Sequence, residues 1–217
     1  MVELSILVAT VSSRRGLLSR LLSVLEPQVK GDPYSEVIVH QGERKSMGRK
    51  FDDLYAAANG RLSVQVDDDD LVADDFVMQV LAASVGHDFV GYKIKVTVDG
   101  DPQAQIYEIN PARAKVLKPY DPRDLIRFVT PKCPILTRLA RRFPFPSYFG
   151  ADYFWTEDLV RDGYPFNPVF IPKVLYHYDA WPNHSLGTRP SEWTEQREVP
   201  EQDYDRHSFT WIGRGVQ

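Results

Sequence analysis

The sequence predicts an α/β fold, in which a mostly parallel sheet is flanked by helices in a single domain with a small extension. Two observations predict it. Through the first half of the chain, short apolar runs alternate with segments of helical periodicity, a pattern typical of parallel strands joined by helical crossovers. The chain has 217 residues, of which 43% are hydrophobic, and this is enough for one domain with a substantial core.

The predicted elements alternate from the N-terminus onward. Residues 4–10 (LSILVAT) are a near-continuous apolar run, as expected of a strand buried on both faces. Leucines recur at helical spacing along residues 15–28, and Gly60 stands where a glycine would end a later helix. The predicted strands are 4–10, 35–41 and 61–66, and the predicted helices are 15–28, 46–60 and 73–86.

The second half of the chain is less regular. Residues 87–100 and 102–110 predict a hairpin that turns at Asp99 and Gly100. One more strand is expected at 168–181. From about residue 188 the sequence is polar, so we predict one domain over residues 1–187 and a polar tail over 188–217.

Charge is unevenly distributed along the chain. The formal net charge is −4, yet residues 111–146 contain nine basic and two acidic side chains, a local charge of +7. Such a block favours contact with a polyanion, although a solvated helical surface is an equally good interpretation.

Two classes of protein are disfavoured by composition. A single cysteine, Cys133, excludes an intrachain disulfide and a cysteine-based zinc site. The apolar run near the N-terminus is too short to span a membrane and lacks the residue order of a signal peptide. We therefore expect a cytoplasmic protein with no integral membrane segment.

The segment LSVQVDDDDLVADDF (62–76) places Asp67–Asp70 directly after a predicted strand. In open α/β sheets, ligands bind beyond the carboxyl ends of the strands, and clustered carboxylates suit Mg²⁺, Mn²⁺ or Ca²⁺. An EF-hand loop is excluded because Val72 and Met78 occupy its glycine and glutamate positions. The alternative is an acidic strand–helix junction, in which one aspartate caps a helix beginning at Ala73.

At this point the sequence resembles the family 2 glycosyltransferases, whose fold is called GT-A. Many members share a segment like G-x-K-R-N-x-L-x-x-x-A-x-G, then a strand, then D-x-D-D-x-x-x-P-D. This chain reads MGRKFDDLYAAANGRLSVQVDDDD, with Asp52 at the usual asparagine. The second pattern maps onto residues 67–75, with Asp74 in the proline position. The positions in step with the first pattern are Gly48, Lys50, Leu54, Ala58 and Gly60.

The resemblance implies a nucleotide-sugar donor site in residues 1–110. Asp67 and Asp69 would be the D-x-D pair that holds the ribose and an Mn²⁺ or Mg²⁺ ion on the donor diphosphate, with Asp68 beside them. Lys50 would add positive charge near the nucleotide, and Thr10 would border it. The acidic residue that often reads the nucleobase is missing after the second strand, where His40 and Gln41 stand.

A catalytic residue is implied by GADYFWTEDLVRDGY (150–164), which resembles the family segment E-D-x-x-L-x-x-R-L-x-x-x-G-Y. The spacing to Gly163 selects Asp152, rather than Asp158, as the base that deprotonates the acceptor hydroxyl. The family glutamate is then replaced by Ala151. The alternative use of Asp152 is as a helix N-cap.

Histidines are the third implied feature. Enzymes with this fold frequently add a histidine from beyond a late strand to the metal shell, and His177 and His184 are the two candidates. A lone histidine is more often a packed, hydrogen-bonded residue.

We therefore expect a metal-dependent inverting glycosyltransferase that uses a nucleotide sugar, with a UDP-sugar as the first choice. Its acceptor and catalytic half would be residues 111–187. The basic segment 111–146 suggests a polyanionic acceptor, such as modified DNA, a phosphate polymer or an anionic lipid headgroup. Two alternatives stay open: a non-catalytic nucleotide- or sugar-binding module, and a nucleotidyltransferase, although its usual G-x-G-T-R loop is missing.

Overall fold

The computed structural model of the chain describes residues 1–42, 45–98, 104–113, 125–147, 150–180 and 209–213. Within them, ten strands form one mixed, mostly parallel sheet with helices packed against it. The strands are β1 (Leu4–Thr10), β2 (Ser35–Gln41), β3 (Leu62–Gln65), β4 (Leu71–Val72), β5 (Phe89–Val98), β6 (Gln105–Ile109), β7 (Ile126–Arg127), β8 (Ile135–Leu136), β9 (Pro168–Ala180) and β10 (Phe209–Ile212). The helices are α1 (Arg15–Val29), α2 (Met47–Ala57), α3 (Phe76–Ala83), α4 (Thr137–Ala140) and α5 (Ala151–Arg161).

The predicted α/β fold is confirmed. The strands lie in the order β10-β2-β1-β3-β8-β5-β6-β7, and β9 pairs with β5 and β4. The long pairings of β1 with β2 and β3, and of β5 with β9, are parallel. The predicted hairpin is the antiparallel pair β5 and β6, whose turn at Asp99 and Gly100 lies outside the described residues.

The core lies on both sides of β1. Every residue of that strand is buried, which explains its continuous apolar sequence. The helix α1 covers the sheet with the buried side chains of Leu21, Leu25 and Val29, and their spacing of about four residues places them on one face of the helix.

The predicted capping role of Gly60 was wrong. The helix α2 ends at Ala57, with Ala58 as its C-cap in an extended conformation. A Cβ on Gly60 would lie 2.5 Å from the amide nitrogen of Ser5, so glycine is needed there for the close approach of two backbones.

Several strand ends meet at one edge of the sheet, here called the carboxyl edge. The strands β1, β2 and β3 end there because they are parallel. The pairings show that β9 also ends at this edge and that β10, inside the predicted polar tail, begins there opposite His40. The predicted division at residue 110, between a donor-binding half and an acceptor-binding half, stays a prediction. No helix in the described part of the chain is both long and apolar enough to cross a membrane.

Candidate active site

The four aspartates form a tight turn at the carboxyl edge. The Asp70 amide donates a 3.1 Å hydrogen bond back to the Asp67 carbonyl, and the chain then enters β4, which pairs antiparallel with β9. The alternative in which one of the four aspartates caps a helix at Ala73 was wrong, because β4 intervenes and α3 begins only at Phe76. The turn lies where open α/β sheets bind ligands.

Asp68 joins this turn to the end of β1. Its side chain is buried and accepts a 2.6 Å hydrogen bond from the Thr10 hydroxyl. The Arg14 guanidinium lies 2.9 Å from its other oxygen. Burial raises the pKa of the Asp68 carboxyl to about 6, although both partners act to lower it. Asp68 therefore anchors the turn more than it faces a ligand.

Asp67 contacts the ammonium of Lys132, which arrives from the loop before β8. The Gln65 side chain donates to its other oxygen at 3.1 Å. Burial acts to raise the pKa of the Asp67 carboxyl, but these partners outweigh burial and hold that pKa below its ordinary value. Asp67 is therefore ionised at neutral pH.

Asp70 is fully buried at the inner end of the same turn. It accepts a 2.6 Å hydrogen bond from the Tyr176 hydroxyl and a 3.2 Å bond from the Asp179 amide, both in β9. Its nearest cation is Lys132 at 3.4 Å. Burial raises the pKa of the Asp70 carboxyl to about 7.

Asp69 is more exposed to solvent than Asp68, the other aspartate that Arg14 contacts. Its carboxylate contacts the Arg14 guanidinium, and its carbonyl accepts a 2.9 Å hydrogen bond from Arg20. Arg14 lies in the short 3-10 turn between β1 and α1. The predicted D-x-D pair, Asp67 and Asp69, is thus present in one turn, with a different cation beside each carboxylate.

The donor set fits a hard divalent cation. Asp67, Asp69 and Asp70 each offer a carboxylate oxygen, and the three oxygens lie within 4.8 Å of one another. All-oxygen ligands suit Mg²⁺ and Mn²⁺. Asp70 was not selected from the sequence, since the D-x-D pattern points only to the first and third aspartates.

Sequence reasoning also missed Arg14 and Lys132 as site residues. Arg14 had a usable signal, since it stands in the loop after the first strand, at the edge where ligands bind. No sequence signal pointed to Lys132, because 62 positions separate it from Asp70 and only the pairing of β3 with β8 brings the two residues together.

The predicted Lys50 lies at the same edge. It is buried on α2, and its ammonium donates a 3.1 Å hydrogen bond to the Thr10 carbonyl at the end of β1. Thr10 and Lys50 are therefore neighbours, as the expectation of a shared site requires. Of the two residues that stand where the nucleobase-reading acidic residue is missing, His40 is buried against Asp53 at 3.1 Å, whereas Gln41 is exposed and donates to Ser12.

His177 does not join the aspartates. In β9, successive side chains point to opposite faces, and the rings of Tyr176 and Tyr178 each lie 5.3 Å from the Lys132 ammonium. His177, between them, therefore faces away. Burial lowers its pKa, and Lys95 lowers it further. Among the described residues the acidic cluster contains no histidine, and His184 lies outside the described residues.

Asp152 lies in the first turn of α5 and is exposed. The alternative in which it caps the helix was wrong, because the N-cap is Gly150, whose φ of 78° is in the left-handed region. Ala151, at the usual glutamate position, is buried. Asp152 is therefore free of a capping role, and its role as a base stays a prediction.

Two contacts join the segment before α5 to α2, which also supplies Lys50. A Cβ on Gly48 would lie 2.0 Å from the Pro146 carbonyl oxygen, so the two backbones are in direct contact. Asp52 accepts a 2.8 Å hydrogen bond from the Phe145 amide, which gives a packing role to this departure from the family asparagine. Trp155 of α5 stacks on Phe145 with ring centroids 5.1 Å apart.

Most of the described basic residues in the segment 111–146 contact partners inside the fold. Arg141 donates to the carbonyls of Tyr55 and Ala58 at the end of α2, and Arg142 pairs with Asp162 at 2.6 Å. The described basic residues are Arg113, Arg127, Lys132, Arg138, Arg141 and Arg142. Lys115, Lys118 and Arg123 lie outside the described residues. Most of the described basic residues of the segment therefore already have a partner in the fold.

A groove of about 680 Å³ lies at the opposite, amino edge of the sheet and is lined by Arg61, Arg138 and Arg141 among others. Arg61 donates to the carbonyls of Ser84 and His87 after α3. Two of the three arginines thus bind carbonyl groups at helix ends, which is a structural role. The groove is separated from the aspartates by the length of the sheet.

The mixed, mostly parallel sheet and its flanking helices define a GT-A-like fold. Solved structures of TarS from S. aureus share it. A structure of TarS 1–349 is 16% identical with a TM-score of 0.59, over 82% of this chain and 60% of that one. Its UDP complex is 14% identical with a TM-score of 0.58, over 83% and 61%. Its UDP-GlcNAc complex is 15% identical with a TM-score of 0.56, over 82% and 58%.

This chain spans about 60% of those TarS structures and 37% of a longer one. At such low identity the likeness establishes the fold alone. No protein-family model matches the sequence, and no curated protein matches it.

Proposed function

We propose that this chain is an inverting glycosyltransferase that moves a sugar from a nucleotide sugar to an acceptor hydroxyl. A UDP-sugar is the first choice of donor. The observation that supports it most is the acidic turn of Asp67–Asp70 at the carboxyl edge, bordered by Thr10, Arg14 and Lys50. The TarS structures with the same fold were determined with UDP and with UDP-GlcNAc, which favours this class of donor.

The acidic turn would hold the donor through a divalent cation, Mn²⁺ or Mg²⁺. Asp67, Asp69 and Asp70 are the residues that fit this ion, and a bound ion would offset the negative charge that builds up on the diphosphate leaving group. Arg14 lies beside Asp69 of the turn and would bind the diphosphate oxygens. His184 remains a proposed metal ligand only by resemblance, whereas His177 faces away from the aspartates and does not fit that role.

Asp152 would be the catalytic base. In the proposed step, the acceptor oxygen forms a bond to the anomeric carbon while the bond from that carbon to the diphosphate oxygen breaks. The electron pair of the broken bond leaves with the nucleoside diphosphate, and the acceptor proton passes to the Asp152 carboxylate. Attack opposite the leaving group inverts the anomeric centre. The contact of Gly48 with Pro146 supports this role, because it brings the segment before α5 to the helix that contains Lys50.

A polyanionic acceptor is proposed for the basic segment 111–146. Support comes from the side chains of Arg113 and Arg142, which are 60% and 54% exposed although each is paired. Binding through phosphate neutralisation falls steeply with salt. A protein that makes about six phosphate contacts loses about a thousandfold in affinity between 50 and 200 mM salt. Acceptor binding that is equally strong at these two salt concentrations would contradict this part of the proposal.

The donor site is tested by calorimetric titration of UDP into the protein, with and without Mn²⁺. We expect tight binding only with the metal, and a loss of at least about tenfold in Asp69→Asn, because that variant removes one carboxylate ligand. Asp74→Asn is the matched control, since Asp74 is exposed and lies outside the cluster. Absence of UDP binding under both conditions would contradict the proposed function.

A further inference from the structure

We propose that Lys132 makes divalent-cation binding by the acidic turn depend on the nucleotide diphosphate. In the absence of nucleotide, the ammonium of Lys132 occupies the carboxylates that a cation needs, so the ion binds weakly. The diphosphate supplies the negative charge that lets ammonium and ion coexist. This inference rests on the proposed donor site and assigns Lys132 a positioning role in it.

The geometry of the turn is the first argument. Lys132 contacts Asp67 and lies 3.4 Å from Asp70, and these are two of the three residues that could hold a divalent ion. The third, Asp69, contacts Arg14. Every carboxylate of the candidate metal set therefore already has a cation of the chain beside it.

Lys132 is also held firmly in place. Its ammonium lies 5.3 Å from the rings of both Tyr176 and Tyr178, and aromatic faces attract cations. Its carbonyl accepts a hydrogen bond from the buried Tyr92 hydroxyl. The preceding carbonyl, that of Pro131, accepts a 2.8 Å bond from the Gln65 amide. The Lys132 ammonium is thus held at a fixed place in the turn, because both the side chain and the backbone of Lys132 are anchored.

Electrostatics then favours coupling. A divalent ion bound by Asp67 and Asp70 would lie within a few ångströms of the Lys132 ammonium, where like charges repel strongly in a partly buried site. An added diphosphate attracts both cations and offsets the repulsion.

The experiment measures Mn²⁺ binding, with and without UDP, from the electron paramagnetic resonance signal of free Mn²⁺. The variants are Lys132→Met, which keeps the length of the side chain without its charge, and Lys132→Arg, which keeps the charge. Lys173→Met is the control, because Lys173 pairs with Asp75 outside the cluster. Activity is not needed for this readout.

In the parent we expect UDP to tighten Mn²⁺ binding by more than about tenfold. In Lys132→Met we expect Mn²⁺ alone to bind at least about tenfold more tightly than to the parent, with a much smaller effect of UDP. Lys132→Arg and Lys173→Met should resemble the parent. Equal Mn²⁺ affinity of parent and Lys132→Met without UDP would overturn the inference while leaving the donor site intact. Absence of Mn²⁺ binding to all proteins, even with UDP, would instead overturn the metal-dependent donor site itself.

Lys132→Met leaves the buried Asp70 without its cation and can fail to fold. The same comparison is then made in Lys132→Gln, which removes the charge but keeps an amide donor for the buried carboxylate. The tightening of Mn²⁺ binding on removal of the Lys132 charge is expected there too, and its absence in this variant would overturn the inference.

Discussion

The hydroxyl of Thr10 donates a 2.6 Å hydrogen bond to the carboxylate of Asp68, a residue 58 positions away in the chain. Thr10 ends β1, and Asp68 lies in the turn after β3, so this bond connects the ends of two neighbouring parallel strands. Both residues are 2% exposed. The acidic turn is therefore attached to the sheet by a buried bond of its own.

Thr10→Val should reduce the free energy of unfolding by about 1.5–3 kcal/mol, the usual range for a hydrogen bond to a charged group. Valine keeps the volume of threonine but leaves one oxygen of the buried Asp68 without its donor. Thr10→Ser is the control, because it keeps the hydroxyl. Urea unfolding at pH 7 measures both variants, and a loss in Thr10→Val no greater than in Thr10→Ser would contradict the prediction.

Gly48→Ala should destabilise the protein by about 1–3 kcal/mol, the usual range for overpacking. A Cβ there would lie 2.0 Å from the Pro146 carbonyl oxygen, so the two backbones must separate. The matched control is Gly16→Ala in α1, where a Cβ meets nothing within 4 Å. That change should be neutral or stabilising by up to about 1 kcal/mol, because alanine favours helix more than glycine does. Thermal unfolding of the two variants measures this difference. Similar melting temperatures would show that the contact between Gly48 and Pro146 is not tight.

Asp52→Asn should stabilise the protein at neutral pH. Burial raises the pKa of the Asp52 carboxyl above its ordinary value of 3.8, so the folded state binds this proton more tightly than the unfolded state does. The stability contributed at this position therefore falls as the pH rises from about 3.8 through the folded pKa. An asparagine can still accept the Phe145 hydrogen bond but does not ionise.

The measurement is the difference in free energy of unfolding between Asp52→Asn and the parent at several pH values from 4 upward. We expect the advantage of the variant to grow with pH and then level off above the folded pKa. A difference that is independent of pH, or one that shrinks as the pH rises, would show that Asp52 is not disfavoured as a carboxylate.

Asp152→Asn should lower kcat by about 10²- to 10⁴-fold, the usual contribution of a general base, with UDP binding unchanged. The control is Asp158→Asn in the same helix, which removes only an exposed pair with Arg161. Transfer rates with a UDP-sugar, together with calorimetry of UDP, check both variants. An Asp152→Asn protein as active as the parent would remove the base assignment, and a large effect of Asp158→Asn alone would move the base to that residue.

Local sequence patterns predicted the elements around the site well. The strands predicted at 4–10 and 35–41 coincide with β1 and β2, because a continuous apolar run is explained by burial on both faces of a parallel sheet. The acidic run after the third strand was predicted to lie at the carboxyl edge, and it does. Elements of two residues, such as β4 and β8, have no periodicity to detect, so they were missed.

The amino-acid sequence by itself determined the alternation of β1, β2 and β3 with the helices α1, α2 and α3, and with it the edge at which Asp67–Asp70 lie, since both follow from periodicity over neighbouring residues. Only the tertiary structure decided which partners meet these carboxylates. Lys132 and Tyr176 reach Asp70 from 62 and 106 positions away, through the pairing of β8 and the docking of β9 on β4. Contacts over such separations depend on how strands pair, and no local pattern around either residue contains that information.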